Sequence, residues 1–230
     1  GFDQKADVTL NAILAYMPTV PHWGYNGSAR RYWDFVYAGK LTRVERQLHH
    51  YGSGLNAIPV LSRFREQPDD FYLLRVGHGG MMGAIANITQ DGFGPCGFHA
   101  YPSTLEIDGY SGDFGPSFFG HTVNAGTYLT HHEDFGWLGF GGNVREEGST
   151  VTLTPLDSAR QRVYLATLGL WLTLDAGTFE SVQLNTETSE VTVRLSGATP
   201  HTPVARLRIE QPARADEAGT CRPVGIAGQE

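Results

Sequence analysis

The acids that could work as a pair lie near the middle of the 230-residue chain, where Glu106, Asp108 and Asp113 sit among Tyr110, Phe114 and Phe118. Splitting a glycosidic bond needs a protonated carboxyl beside the leaving oxygen and a second carboxylate as nucleophile or water-activating base. An acid enclosed by aromatic rings is desolvated, which raises its pKa toward the value a general acid needs. Asp113 and Glu106 are therefore candidate catalytic residues, with Tyr110 as a substrate contact. The plain alternative for Asp113 is a Ser-Gly-Asp turn whose carboxylate bonds its own backbone. His49, His50, Tyr51 and Asn56 supply the residue types for a different reaction. There a Tyr or His removes the proton next to a uronic carboxylate while Asn or His neutralises that acid group, giving β-elimination. On one helix His49 and His50 project about 100° apart, so at most one would face a given cleft. His49 and Tyr51 stand as catalytic candidates, His50 and Asn56 as substrate-binding ones. Trp23 and Tyr25 follow a proline-bounded turn, and their ring faces would stack on the apolar C–H face of a pyranose.

The elements that must position these residues change character along the chain. Up to about residue 135 the pattern is helical and heavily interrupted. Asp7 to Tyr16 reads as a helix stopped by Pro18 and Pro21, and Ala29 to Ala38 as a second, capped by Ser28. Val44, Leu48 and Tyr51 share a helical face at i, i+4, i+7. Leu55 to Phe64 resumes the helix, Phe71 to Ile88 forms another, and Gly77, Gly79, Gly80 and Gly83 within it require close packing or a break. From Asp91 to Gly120 the chain reads as loop, and His121 to His132 as a last helix. Beyond about residue 136 the period becomes two: Val151–Thr154, Leu170–Leu174, Val182–Leu184, Val191–Leu195 and Val204–Ile209 each place alternate apolar residues on one face. The expected organisation is residues 1–135 as helices and loops, 136–211 as an antiparallel β-sandwich, and 212–230 as a loosely held tail.

Composition narrows the partners. Seventeen basic against 24 acidic residues give a net charge of −7, which argues against a nucleic-acid partner or an anionic membrane surface. Aromatics make up 11% of the chain and charged residues 18%, a balance that suits a neutral ligand such as a carbohydrate substrate. No apolar run reaches the roughly 18 residues that cross a bilayer. Asn26-Gly27-Ser28 and Asn87-Ile88-Thr89 are N-glycosylation triplets, and Cys96 and Cys221 are free to pair with each other, with another segment, or with nothing. His131-His132-Glu133-Asp134 lacks the i, i+4 spacing of a helical metal site, and Gly77-His78-Gly79-Gly80-Met81-Met82-Gly83 has Met82 where a nucleotide loop needs Gly. No metal and no cofactor are expected. Gly1 stands where a start Met would, and a helix is already under way by Asp7, so the chain is expected to begin inside a fold.

Two stretches carry a family resemblance: His22-Trp23-Gly24-Tyr25-Asn26-Gly27-Ser28-Ala29-Arg30-Arg31-Tyr32-Trp33-Asp34, and Arg46 to Asn56. The loop Tyr110-Ser111-Gly112-Asp113-Phe114-Gly115-Pro116 joins them. Together they resemble an uncharacterised family of secreted fungal and bacterial proteins grouped with the six-hairpin glycosidases. The resemblance covers roughly residues 5 to 145. It implies an α+β multidomain chain, the C-terminal part of an (α/α)6 toroid followed by an antiparallel β-sandwich. It further implies a secreted, extracellular glycoside hydrolase of which this chain is a fragment, completed by an N-terminal portion of the same enzyme. The alternatives are a polysaccharide lyase and a non-catalytic carbohydrate-binding module.

Overall fold

The computed structural model describes residues 2–14, 48–49, 52–85, 99–100, 126–158, 160–197 and 204–211. They form three helices, α1 (Phe2–Leu14), α2 (Gly52–Glu66) and α3 (Phe71–Ile85), and eleven strands. Strands β1 (Leu48–His49) and β2 (His99–Ala100) make a short antiparallel pair. The other nine, from β3 (Thr127–His132) to β11 (Leu207–Glu210), form two open sheets. No described helix is long and apolar enough to cross a membrane.

Helices α2 and α3 form a hairpin because each carries one apolar stripe and the link between them is capped. Ala57, Val60, Leu61 and Phe64 recur at i, i+3, i+4, i+7 on α2 and are buried against Leu73, Leu74, Val76 and Met81 of α3. The Asp70 carboxylate accepts from the backbone N–H groups of Tyr72 at 3.1 Å and Leu73 at 3.4 Å, which is N-capping of α3. Gly77 explains part of the glycine density: a Cβ there would lie 2.6 Å from Leu61 Cδ2, so the Leu61 side chain of α2 packs directly on the α3 backbone. Helix α1 is attached more lightly. Leu10 and Leu14 pack on the same cluster, Asp7 pairs with Arg63 at 3.3 Å, and the Tyr72 hydroxyl donates to the Leu14 carbonyl at 3.4 Å.

The larger sheet has the order β11-β8-β7-β3-β4 and the smaller the order β10-β9-β6-β5. Here β4 is Gly136–Phe140, β5 Gly142–Glu147, β6 Thr150–Pro155, β7 Arg162–Leu165, β8 Leu170–Leu174, β9 Thr178–Asn185 and β10 Val191–Ser196. The smaller sheet is antiparallel throughout, whereas β3 runs parallel to β7 in the larger one. The chain passes from one sheet to the other at Gly141, whose φ of 80° suits glycine. Alternation divides the larger sheet into two faces. Leu129, Val163, Leu165, Leu172 and Leu174 meet Val151, Leu153, Phe179, Val182 and Leu184 of the smaller sheet in one aliphatic core. The residues between them, Tyr128, Tyr164 and Trp171, point the other way and join the helices. The order of layers is therefore helices, mixed sheet, antiparallel sheet.

Several expectations are corrected by this arrangement. The described residues hold three helices and two open sheets, with no six-hairpin toroid among them. The antiparallel β-sandwich is replaced by two unclosed sheets, one of them mixed and covered by helices on its far face. The helix expected over His121 to His132 is strand β3 from Thr127 onward, because Tyr128 and Leu129 are buried on opposite faces, which only an extended chain allows. Within the segment expected to be helical from Val44 to Tyr51, Leu48–His49 is a strand. The strands expected from alternation coincide with β6, β8, β9 and β10, and the last expected segment is strand only from Leu207.

Candidate functional site

The polar chemistry of the described residues is concentrated where α3 and α2 meet the larger sheet. Its centre is Arg160, which follows β6 and has only 2% of its side chain exposed. Its Nε donates to Asp157 Oδ2 at 2.8 Å and its Nη2 pairs with the same oxygen at 2.6 Å. Its backbone N–H donates to Asp157 Oδ1 at 3.0 Å, so the carboxylate grips both ends of the residue. Nη2 also donates to the Gly141 carbonyl at 3.2 Å, and Nη1 reaches His78 Nε2 on α3 at 3.3 Å. A side chain at residue 141 would run into the guanidinium, so the glycine at the sheet-switching corner also makes room for Arg160.

The contact between Arg160 and His78 fixes the state of the imidazole. A guanidinium can only donate, so Nε2 must accept, and the proton of the neutral ring sits on Nδ1. Burial, and after it the nearby Arg160 charge, bring the His78 pKa down to about 4 against the opposing pull of Asp157. The ring stands edge-on to Phe140 of β4 with centroids 5.6 Å apart. One side chain from α3, one from β4 and one from the segment after β6 thus close on each other.

Beside this cluster lies an aromatic and arginine layer. Tyr128 packs edge-on against Phe64 of α2, Tyr164 and Trp171, at centroid distances of 6.0, 5.5 and 5.6 Å. Arg162 lies over the indole of Trp171 at 4.2 Å and Arg65 of α2 at 5.6 Å. Burial pushes the Tyr128 hydroxyl up to about 12, with Arg65, whose Nη1 donates to it at 3.5 Å, pulling the other way. Burial likewise lowers Arg162. A phenol held so high and an imidazole occupied by a guanidinium are neutral, fixed hydrogen-bonding groups at neutral pH. Their geometry joins layers.

Glu106, Asp113, Tyr110, Trp23, Tyr25, His50 and Tyr51 are outside the described residues. His49 is placed by its backbone opposite His99 in the β1/β2 pair, and Asn56 within α2. Cys96 and Cys221 are also outside. His131 and His132 stand on β3 beside Trp137 and Phe71 respectively. Among the described residues no group of three or more His, Cys, Asp or Glu side chains could hold a metal ion. The readings as glycoside hydrolase and polysaccharide lyase are corrected, because the described residues hold no toroid that would shape their cleft. The assignment to toroid glycosidases falls with them.

Sequence reasoning passed over His78, Arg160 and Asp157. The run Gly77-His78-Gly79-Gly80 held one signal, a lone polar side chain on an otherwise small and apolar helix face. Nothing local connects it to Arg160, which lies 82 positions away.

No curated protein and no solved structure matches this chain. Residues 1–226 match the model of a family described as of unknown function. The chain belongs to the family of unknown function DUF5695.

Proposed function

We propose that the described part of the chain is a structural module, a preassembled two-sheet unit that seats a helical layer in a fixed position. The observation that carries this reading is the division of the larger sheet into two buried faces. One face closes an aliphatic core with the smaller sheet. The other offers Tyr128, Tyr164 and Trp171 to α2 and α3, with the Arg160 cluster beside it. A sheet pair that served only itself would leave its outer face to water.

Burying aromatic rings and a desolvated arginine on the outer face is useful only if helices are to be held there. Aromatic pairs add about 0.5–1.5 kcal/mol beyond the area they bury, and they favour particular ring angles, so they set position as well as affinity. Replacing Trp171 by Ala removes the ring that touches Tyr128, Tyr164, Arg162 and Arg65 at once. The expected result is a loss of about 3–5 kcal/mol in which helical far-ultraviolet dichroism melts ahead of the strand signal. A single coincident transition at lower temperature would mean that the helices have no separate seat, and the proposal would fall.

A further inference from the structure

The Arg160 cluster is held by a contact that acid must break. His78 accepts a hydrogen bond through Nε2 from a permanently charged guanidinium. Adding a proton to Nε2 removes the acceptor and places two cations 3.3 Å apart, with Arg160 enclosed and unable to turn toward water. The charges around the imidazole make this specific. From the segment after β6 come Arg160, which opposes protonation, and Asp157, which favours it and is already engaged with Arg160. Strand β4 faces the ring with Phe140 and contains no titratable side chain. On α3 itself the other charge is Arg75, which is exposed. On α2, Arg63 pairs with Asp7 and Glu66, and Arg65 bonds Ser62 and Tyr128.

We propose that His78 and Arg160 form an acid-released latch that holds the helical layer to the sheets at neutral pH and lets it go as pH falls. The inference rests on the reading of the chain as a helix-seating module and adds regulation to it. The direction follows from linkage. The seated layer keeps His78 neutral down to about pH 4, whereas a released, solvated imidazole takes up its proton near its ordinary value of about 6.5. The released state therefore binds more protons between these limits, and seating weakens as pH falls through that window. A difference of this size corresponds to a shift of the seated-to-released ratio by up to about 300-fold, complete near pH 4.

The test is hydrogen exchange of the whole chain, read as protection factors of α2 and α3 against those of β6, β8 and β9, at several pH values from 7.5 to 4.5. His78→Gln keeps an acceptor for Arg160 and cannot titrate. The unaltered chain should lose helix protection about tenfold per pH unit below 6.5 while the strands hold, and His78→Gln should abolish that slope. An unchanged slope in the variant would overturn the latch while leaving the module intact. Helices and strands losing protection together at every pH would instead overturn the module reading. Should His78→Gln fail to fold, nuclear magnetic resonance titration of His78 in the unaltered chain decides: a ring neutral to about pH 4 supports the latch, and one titrating near 6.5 refutes it.

Discussion

The two faces of the five-stranded sheet are built from alternate residues of the same strands and yet follow different rules. Toward the smaller sheet, Leu129, Val163, Leu165, Leu172 and Leu174 present branched aliphatic side chains, and the buried Thr127 hydroxyl bonds the Gly141 carbonyl. Toward the helices, Tyr128, Tyr164 and Trp171 present rings with a hydroxyl or an indole edge, and arginines from α2 and β7 lie over them. An aliphatic face binds by area alone and tolerates sliding. A face of rings, guanidiniums and one acceptor imidazole binds in one geometry and depends on protonation. The comparison teaches that a single sheet can be a permanent core on one side and a specific, condition-dependent seat on the other.

Substitutions on the two faces should therefore fail differently. A large effect is expected on the aliphatic side, comparable to that of Trp171→Ala on the other face. Leu172→Ala, at a position only 1% exposed between two sheets, should cost about 2–5 kcal/mol by lost transfer energy and a residual cavity. Because that core joins both sheets, denaturant unfolding should remain one transition with a lower midpoint. A smaller effect, on the other side, is expected from Arg160→Met, which takes the Arg160 donor from the His78 acceptor and leaves the Gly141 carbonyl with the Leu156 N–H as its nearest donor. Loss of one partner of a buried ion pair costs about 3–5 kcal/mol, but Asp157 is 30% exposed and regains water, so a cost of about 2–3 kcal/mol is expected. Circular dichroism and exchange should place that loss in α2 and α3, and a uniform loss across strands would erase the distinction between the faces.

What could be read from the sequence follows from which interactions are local. Strands β6, β9 and β10 alternate cleanly because one of their faces meets water, so a period of two is visible in Val151-Thr152-Leu153-Thr154 and Val191-Thr192-Val193-Arg194. Strand β3 was hidden for the opposite reason. Thr127 to Thr130 are buried on both faces, and a short run without polar alternation cannot be told from helix by its period. The same holds for Leu170-Trp171-Leu172, where alternation survives only as aliphatic against aromatic. The parallel pairing of β3 with β7 joins residues more than thirty positions apart, and no local pattern encodes it. The toroid came from family resemblance alone, and the glycines of α3 left close packing or a break open, of which Gly77 against Leu61 shows the first at that one position. The catalytic candidates around Asp113 and His49 rested on residue types gathered in short stretches, whereas the polar cluster at the layer junction is assembled from positions 78, 141, 157 and 160. Proximity in sequence is a poor guide to a site built where layers meet.

The central claim is that the helical layer is seated on the sheets and separable from them. Native-state hydrogen exchange of the unaltered chain at neutral pH, in increasing sub-denaturing denaturant, tests it most directly. The account predicts that amides of α2 and α3 exchange through an opening of lower free energy and smaller denaturant dependence than those of β6, β8 and β9, which exchange only on global unfolding. One common opening free energy for helices and strands would contradict it.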